Sequence, residues 1–368
     1  MTITTAYSTE SNPEKAANQI RSQLAGCDPR AVVFFASSQY DPQAICHSMQ
    51  AAFPQADTFG CSTSGEIVSG RMLKNSLVAM GLSAEVVEDL NLQIVDQIHD
   101  ENRVDEAFAA FAKYFNADPL VMDVNTYVGI ILVDGLQGAE EKLMERIGEI
   151  SNLFFIGGSA GDDLKFSQTW VYANGKAYTD AALLALLKPH RRFSFIKTQS
   201  FKPCPAKLIA TKVKLSERKV MEFNHKPAAV AYAEAVGTTA DKADQYFMSN
   251  PLGLVIDDEP YVRSPQRIDG DAMHFYCNVM EGMEMSLLES SDIVKDTRAA
   301  VADKVTQVEH ISGIINFHCI LRTLELEKGG MTEAYAKIFS DIPTIGFSTY
   351  GEEFIGHINQ TATMLVFE

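Results

Sequence analysis

The sequence predicts an α/β fold of mixed α+β character: two domains built from repeated β-α-β-β units with mixed sheets. Three observations predict it. A chain of 368 residues exceeds what one ordinary core accommodates. Short apolar runs rich in β-branched and aromatic residues alternate with helix-spaced segments, as covered strands alternate with helices. One string also recurs after such a run. "FGCSTSGE" at 59–66 and "IGFSTYGE" at 345–352 both read Gly-x-Ser-Thr-x-Gly-Glu, and "IGGSAGDD" at 156–163 is a looser copy.

The elements run in order along the chain. Asn12 caps an opening helix, Pro13 suits its first turn and Gly26 lies just past its end, with Ala16, Ile20 and Leu24 on one face. "AVVFFA" at 31–36 is a strand apolar on both faces. Asp41 and Pro42 open a helix that stops before Pro54, and "NSLVAMGL" at 75–82 is the strand beyond the turn. The same order returns as "YVGIILV" at 127–133, a helix in "AEEKLMERIGEI" with Leu143 and Ile147 on one face, "LFFIGGSAGDD" and "DAALLALL". It returns again as "SGIINFHCI" at 312–320, a helix in "MTEAYAKIF", "TIGFSTYGEE" and "TATMLVF". The spacing of the turn glycines Gly60, Gly157 and Gly346 leaves room for a degenerate fourth copy, placed at "MSNPLGLVIDDEPYVRS" around Gly253. Each closing strand is expected to pair antiparallel with the strand before its turn. The boundaries read 1–30 as helix and lead-in, 31–226 as one domain and 227–368 as the other.

Lys plus Arg number 31 against 48 Asp plus Glu, a net charge of −17. That balance argues against a general binder of nucleic acids or anionic membranes, which need a positive field. The six cysteines are scattered with no C-x-x-C pair, which reads as free thiols in a reducing compartment. The first residues lack the basic and apolar order of a signal peptide, and no apolar run approaches a bilayer's thickness. A cytoplasmic location is expected.

Glycines at both ends of a short turn permit positive φ and let backbone N–H groups converge. Candidate ligand-turn residues are therefore Gly60, Ser62, Thr63, Gly65 and Glu66, then Gly158, Ser159 and Asp162. Gly346, Ser348, Thr349, Gly351 and Glu352 complete the set, with Asn359 in the polar stretch beyond. The alternative is that these residues only punctuate tight connections. Ser159 sits in a literal G-x-S-x-G, the string of a hydrolase nucleophile elbow, but "DDLKFSQTWVY" after it reads as a hairpin where an elbow needs a helix. No catalytic residue is assigned on that basis, and a serine hydrolase stands as the enzyme alternative. None of the eight histidines has close metal-ligand spacing. His47 and His99 read as surface residues. His190 lies in the basic "KPHRRF" with Lys188, Arg191 and Arg192, a candidate anion site; the other reading is a solvated loop with acidic partners. His357 lies in the polar "GHINQT", and His318 on an apolar strand where a satisfied core histidine is the plain reading.

Taken together, "VVFFASSQYD", "FGCSTSGEI" and "GGSAGDDLKFSQTWVY", then "FHCILR", "IGFSTYGEE" and "HINQT", resemble the FIST domain family of bacterial sensory modules. The segment "NHKPAAVAYAEAVG" at 224–237 looks like the family's junction between its N-terminal and C-terminal parts. The resemblance implies a sensor of a small ligand, amino acids among them, with no catalysis of its own. One stand-alone branch, the NosP type, binds haem and responds to nitric oxide. If this chain is like it, the cofactor is haem b and the axial ligand is sought among His357, His190 and His318. Lys188, Arg191 and Arg192 would then meet the propionates, and a separate histidine kinase, diguanylate cyclase or phosphodiesterase would carry the output. An amino-acid or similar metabolite sensor on the same scaffold is the alternative.

Overall fold

A computed structural model describes residues 3–100 and 103–368, which cluster into two compact units of mixed α and β structure. The first holds the residues up to Lys197 together with Thr297–His357 and Ala362–Glu368; the second holds Thr198–Asp296 and Ile358–Thr361. The third sequence repeat thus lies in the same compact unit as the first two.

All three repeats of the first unit begin with a strand whose alternate residues face opposite sides, and in the first two these sides enter two different cores. In Pro29–Ser37, Val33 and Phe35 face a central cluster while Val32, Phe34 and Ala36 face the helix Pro42–Ala52. In Val128–Val133, Ile130 and Leu132 face the centre while Ile131 and Val133 face the helix Glu140–Ile150. In Gly313–Cys319, Ile315 and Phe317 face the centre. That period of two explains why the first two runs are apolar throughout. Phe35, Phe317 and Phe347 meet in the central cluster with ring centroids 4.5–6.5 Å apart. Burying such a ring contributes about 1.5–3 kcal/mol.

The second strand of each repeat runs parallel to the first: Asp57–Thr63, Phe155–Ser159 and Thr344–Thr349. Its glycine sits directly opposite a residue of the first strand, Gly60 beside Phe34, Gly157 beside Ile131 and Gly346 beside Asn316. A Cβ at any of the three would collide with the carbonyl oxygen of that residue. These glycines therefore belong to the strands, and close backbone approach, rather than a turn with positive φ, is their reason. Among the closing glycines Gly65 does carry a positive φ, of 131°.

After the turn comes a two-stranded ribbon that does not stay with its own repeat. Glu66–Val68 of the first ribbon pairs with Thr344–Thr349 of the third repeat, and Val171–Ala173 of the second pairs with Asp57–Thr63 of the first. Glu352–Phe354 of the third pairs with Phe155–Ser159 of the second. Each repeat thus hands its ribbon to another, and the exchange closes in a ring of three. The closing strands Leu77–Ser83, Ala181–Pro189 and Thr361–Phe367 return to pair antiparallel with the first strand of their own repeat. That corrects the expected pairing with the strand before the turn: the far side of that strand is taken by a neighbour's ribbon.

The opening helix spans Pro13–Gln23, with Asn12 accepting from the Lys15 N–H, as its punctuation predicts. Sequence reading missed the strand Ile3–Ser8 before it and the helix Ile320–Lys328. The fourth copy is absent. Gly253 lies in Leu252–Ile256, which pairs antiparallel with Glu259–Arg263 and Glu284–Ser290 in the second unit's sheet. Every pairing described in that sheet is antiparallel, and the helix Ala228–Val236 covers its own core through Tyr232 and neighbouring alanines.

Candidate functional site

The three turns interlock where the ribbons cross. Ser348 donates its N–H to the Gly65 carbonyl at 2.8 Å, Ser159 to the Gly351 carbonyl at 2.8 Å, and Gly161 to the Ser62 carbonyl at 3.0 Å. The structure brings together Ser62, Thr63, Glu66, Ser159, Asp162, Ser348, Thr349 and Glu352 of the expected set, and all are buried. Their groups are largely spent on one another. Ser62 Oγ donates to Gly161 O at 2.9 Å, Thr349 Oγ1 lies 2.8 Å from Ser159 O, and the Asp162 carboxylate accepts from the backbone of Phe166, Ser167 and Gln168 and from the Tyr350 hydroxyl. Burial works against that carboxylate, yet these donors hold it below the usual range. Glu66 accepts from Thr63 and Ser76, and burial pushes it up to about 7. Gly158 packs against Thr349. Asn359 is buried in the Ile358–Thr361 segment of the second unit, with no protein partner for its amide.

Beneath the turns lies a charged cluster that the sequence showed only in part. Ser159 Oγ is 3.0 Å from Glu353 Oε1 and 3.2 Å from Glu140 Oε1, while His357 Nδ1 is 3.3 Å from Glu353 Oε1. Burial opposes a charged imidazole, but Glu353, Glu140 and Glu141 outweigh it and raise His357 to about 9. His357 is thus an imidazolium that donates to a carboxylate. It does not reach the Ser159 hydroxyl, Ser159 is sealed from solvent, and no helix comes directly after it. A hydrolase needs the imidazole on the serine and the serine at a surface, so this geometry does not make a nucleophile.

The third repeat departs from the other two in one layer. Where the first repeat places Phe34 and Ala36 under its helix and the second Ile131 and Val133, the third places Asn316 and His318. Both are fully buried, with Arg322 and Tyr335 beside them. Tyr335 Oη lies 2.9 Å from His318 Nδ1 and accepts from Asn316 Nδ2 at 3.2 Å. Burial, aided by the Arg322 charge, holds His318 well below its ordinary pKa, so the ring is neutral. Tyr335 accepts from Asn316 and from Arg322, which leaves its own O–H to donate into His318 Nδ1. The ring proton then sits on Nε2. That Nε2–H and Asn316 Oδ1 have no hydrogen-bond partner in the protein. Arg322 Nη2 reaches Thr297 Oγ1 at 2.9 Å, and Thr323 Oγ1 meets Ser348 Oγ at 2.7 Å. Tyr335→Phe is expected to take a hydrogen-bond partner from His318, Asn316 and Arg322 at once and to lower unfolding free energy by about 1–3 kcal/mol in urea titration; an unchanged midpoint would refute this hydrogen-bond chain.

The residues proposed for haem do not fit one. An iron ligand must offer a nitrogen lone pair, and His357 is a protonated donor while His318 presents N–H. His190 is exposed in a cleft lined by Lys188, Arg191 and Arg192 with few apolar groups, whereas a porphyrin's faces need apolar cover. Sequence reading missed Glu140, Glu353, Asn316, Arg322 and Tyr335. Aligning "FFA", "ILV" and "NFH" of the three first strands was the signal that marked the polar layer.

The FIST N domain family matches residues 30–226 and the FIST C domain family residues 228–354. A protein of Methanocaldococcus jannaschii described as uncharacterized, MJ1623, is 21% identical over 291 residues, covering 74% of this chain and 56% of that protein. The chain therefore spans little more than half the length of that relative. Among solved structures, T. maritima PurL complexed with ATP aligns at 12% identity over 99% of this chain and 71% of its own, with a TM-score of 0.19, too low for a shared fold.

Proposed function

The chain belongs to the FIST family, whose domains are ligand-binding sensors of signal transduction, and we propose that it senses a small zwitterionic metabolite of the amino-acid class. One observation carries this reading: the buried polar layer of the third repeat. A carboxylate suits the Arg322 guanidinium and the His318 Nε2–H, while an ammonium group suits Asn316 Oδ1. Two other repeats fill the same layer with apolar side chains, so packing alone does not require these groups. Ser348 of the third turn touches Thr323 in this layer, which links occupancy to the ring of turns. A bound state reaches a partner only if it changes contact energy at the partner's surface. A histidine kinase or a cyclic-di-GMP enzyme is the partner class the family resemblance implies.

The test is a thermal-shift screen of the twenty amino acids beside a visible spectrum with added haem, reduced, with and without nitric oxide. A ligand at a hundred times its Kd contributes about 2.7 kcal/mol, a rise of roughly 5–10 °C, which Arg322→Met should abolish. No shift with any amino acid, together with a sharp Soret band that moves with nitric oxide and is lost in His318→Ala, would replace this reading by the haem one.

A further inference from the structure

A cleft of about 970 Å³ opens in the first unit between the His190–Arg192 connection and the end of the helix Ile293–Gln307. The connection joins Ala181–Pro189 to Phe193–Gln199, and its main chain is pinned on both sides. His190 N–H donates to the Val86 carbonyl at 2.9 Å, and the Arg192 carbonyl accepts from Glu368 N–H at 3.0 Å. The side chains are thus presented from a held backbone.

Lys188, His190, Arg191, Arg192, Lys304 and His310 all line the cleft. Lys188 is paired with Glu88 at 2.7 Å, and Arg192 Nε stands 4.0 Å from the Glu368 carboxylate. Arg191, Lys304, His190 and His310 make no ion pair among the described residues, although Glu309 shares the cleft. The four cationic side chains stand against the three carboxylates of Glu88, Glu309 and Glu368, which leaves a small positive excess in a chain of net charge −17. The other lining groups are mostly neutral and polar. Ser194 is one of them, and its buried hydroxyl has no hydrogen-bond partner. Pro189 and Val308 are the apolar members, and no Phe, Tyr or Trp is among the described residues that line the cleft.

We infer that this cleft binds a hydrophilic phosphate ester carrying at least two negative charges, a sugar phosphate or diphosphate in chemical class. Its volume lies at the upper end of the range of about 300–1,000 Å³ typical of small-ligand sites. A guanidinium, an ammonium and two imidazoles offer more donors than one carboxylate can satisfy, whereas each phosphoryl group presents three acceptor oxygens. The neutral polar side chains of Asn125, Thr126, Ser194 and Gln307 suit the hydroxyls of a polyol. Single exposed ion pairs contribute little, so binding depends on their convergence and weakens with salt. This site is separate from the buried layer of the third repeat and does not rest on the amino-acid reading.

The experiment is calorimetric titration of the full chain with inorganic pyrophosphate and with fructose 1,6-bisphosphate, with citrate as the carboxylate control, at low and high salt. One-to-one binding of a phosphate probe, at least tenfold tighter than citrate and at least tenfold weaker in Arg191→Ala/Lys304→Ala, is expected. Arg191 is exposed and Lys304 half-buried, and an unchanged melting temperature confirms that the variant is folded. Equal affinity for citrate, or undiminished binding in the variant, overturns the proposal. So does the absence of saturable binding, including the case where a phosphorylated protein binds and the small probes do not.

Discussion

Replacing His357 by alanine is expected to cost about 3–5 kcal/mol, because it strips the cation from the buried Glu353 and Glu140 carboxylates. The readout is a melting temperature lower by on the order of 10 °C at pH 7, partly restored at pH 5, where Glu353 takes up a proton. The wild-type pH profile comes from the sign of the shift. His357 is raised from 6.5 to about 9 in the folded protein, so its contribution is fully present below about pH 6.5 and is lost as pH rises through 9. The shift corresponds to about 3 kcal/mol. Burial raises Glu353 as well, to about 6, so its contribution is also lost on alkalinisation. A melting temperature that rises from pH 7 to 9.5, or falls equally in His357→Gln, would rule out the buried imidazolium.

Gly157→Ala is expected to be comparably damaging, by more than about 3 kcal/mol, although it adds one methyl group. That methyl would overlap the Ile131 carbonyl oxygen, a backbone atom that cannot swing away. Gly60→Ala and Gly346→Ala meet Phe34 and Asn316 in the same way, whereas Gly148→Ala meets nothing within 4 Å and should be neutral or mildly stabilising. Urea unfolding of the four variants checks this; similar midpoints for Gly148→Ala and Gly157→Ala would refute the close-approach account.

Much of the fold was legible because it is written in local patterns. The three strand runs, the caps at Asn12 and Asp41, and the recurring Gly-x-Ser string all depend on residues within one repeat. The site was legible only where a group's neighbours lie nearby in sequence. Lys188, Arg191 and Arg192 share one connection, so their cluster was visible, while Lys304 and His310 reach the same cleft from a distant helix end. His357 was singled out, but as an iron ligand. Its charge state depends first on Glu353, four residues away, and then on Glu140 in a distant repeat, a pairing that no periodicity records.

The repeated unit, the position of most of its helices and strands, and the family are all written in the order of residues. Hydrophobic period, capping chemistry and turn residues act over a few positions and need no knowledge of the rest of the chain. The exchange of ribbons in a ring, and the closure of the turns against one another, exist only once the chain has folded. The same holds for the backbone contact that the repeat glycines serve, and for His318 as a neutral donor and His357 as a cation. Those outcomes depend on which distant backbone or charge lies within a few ångströms, and burial multiplies the strength of each such contact.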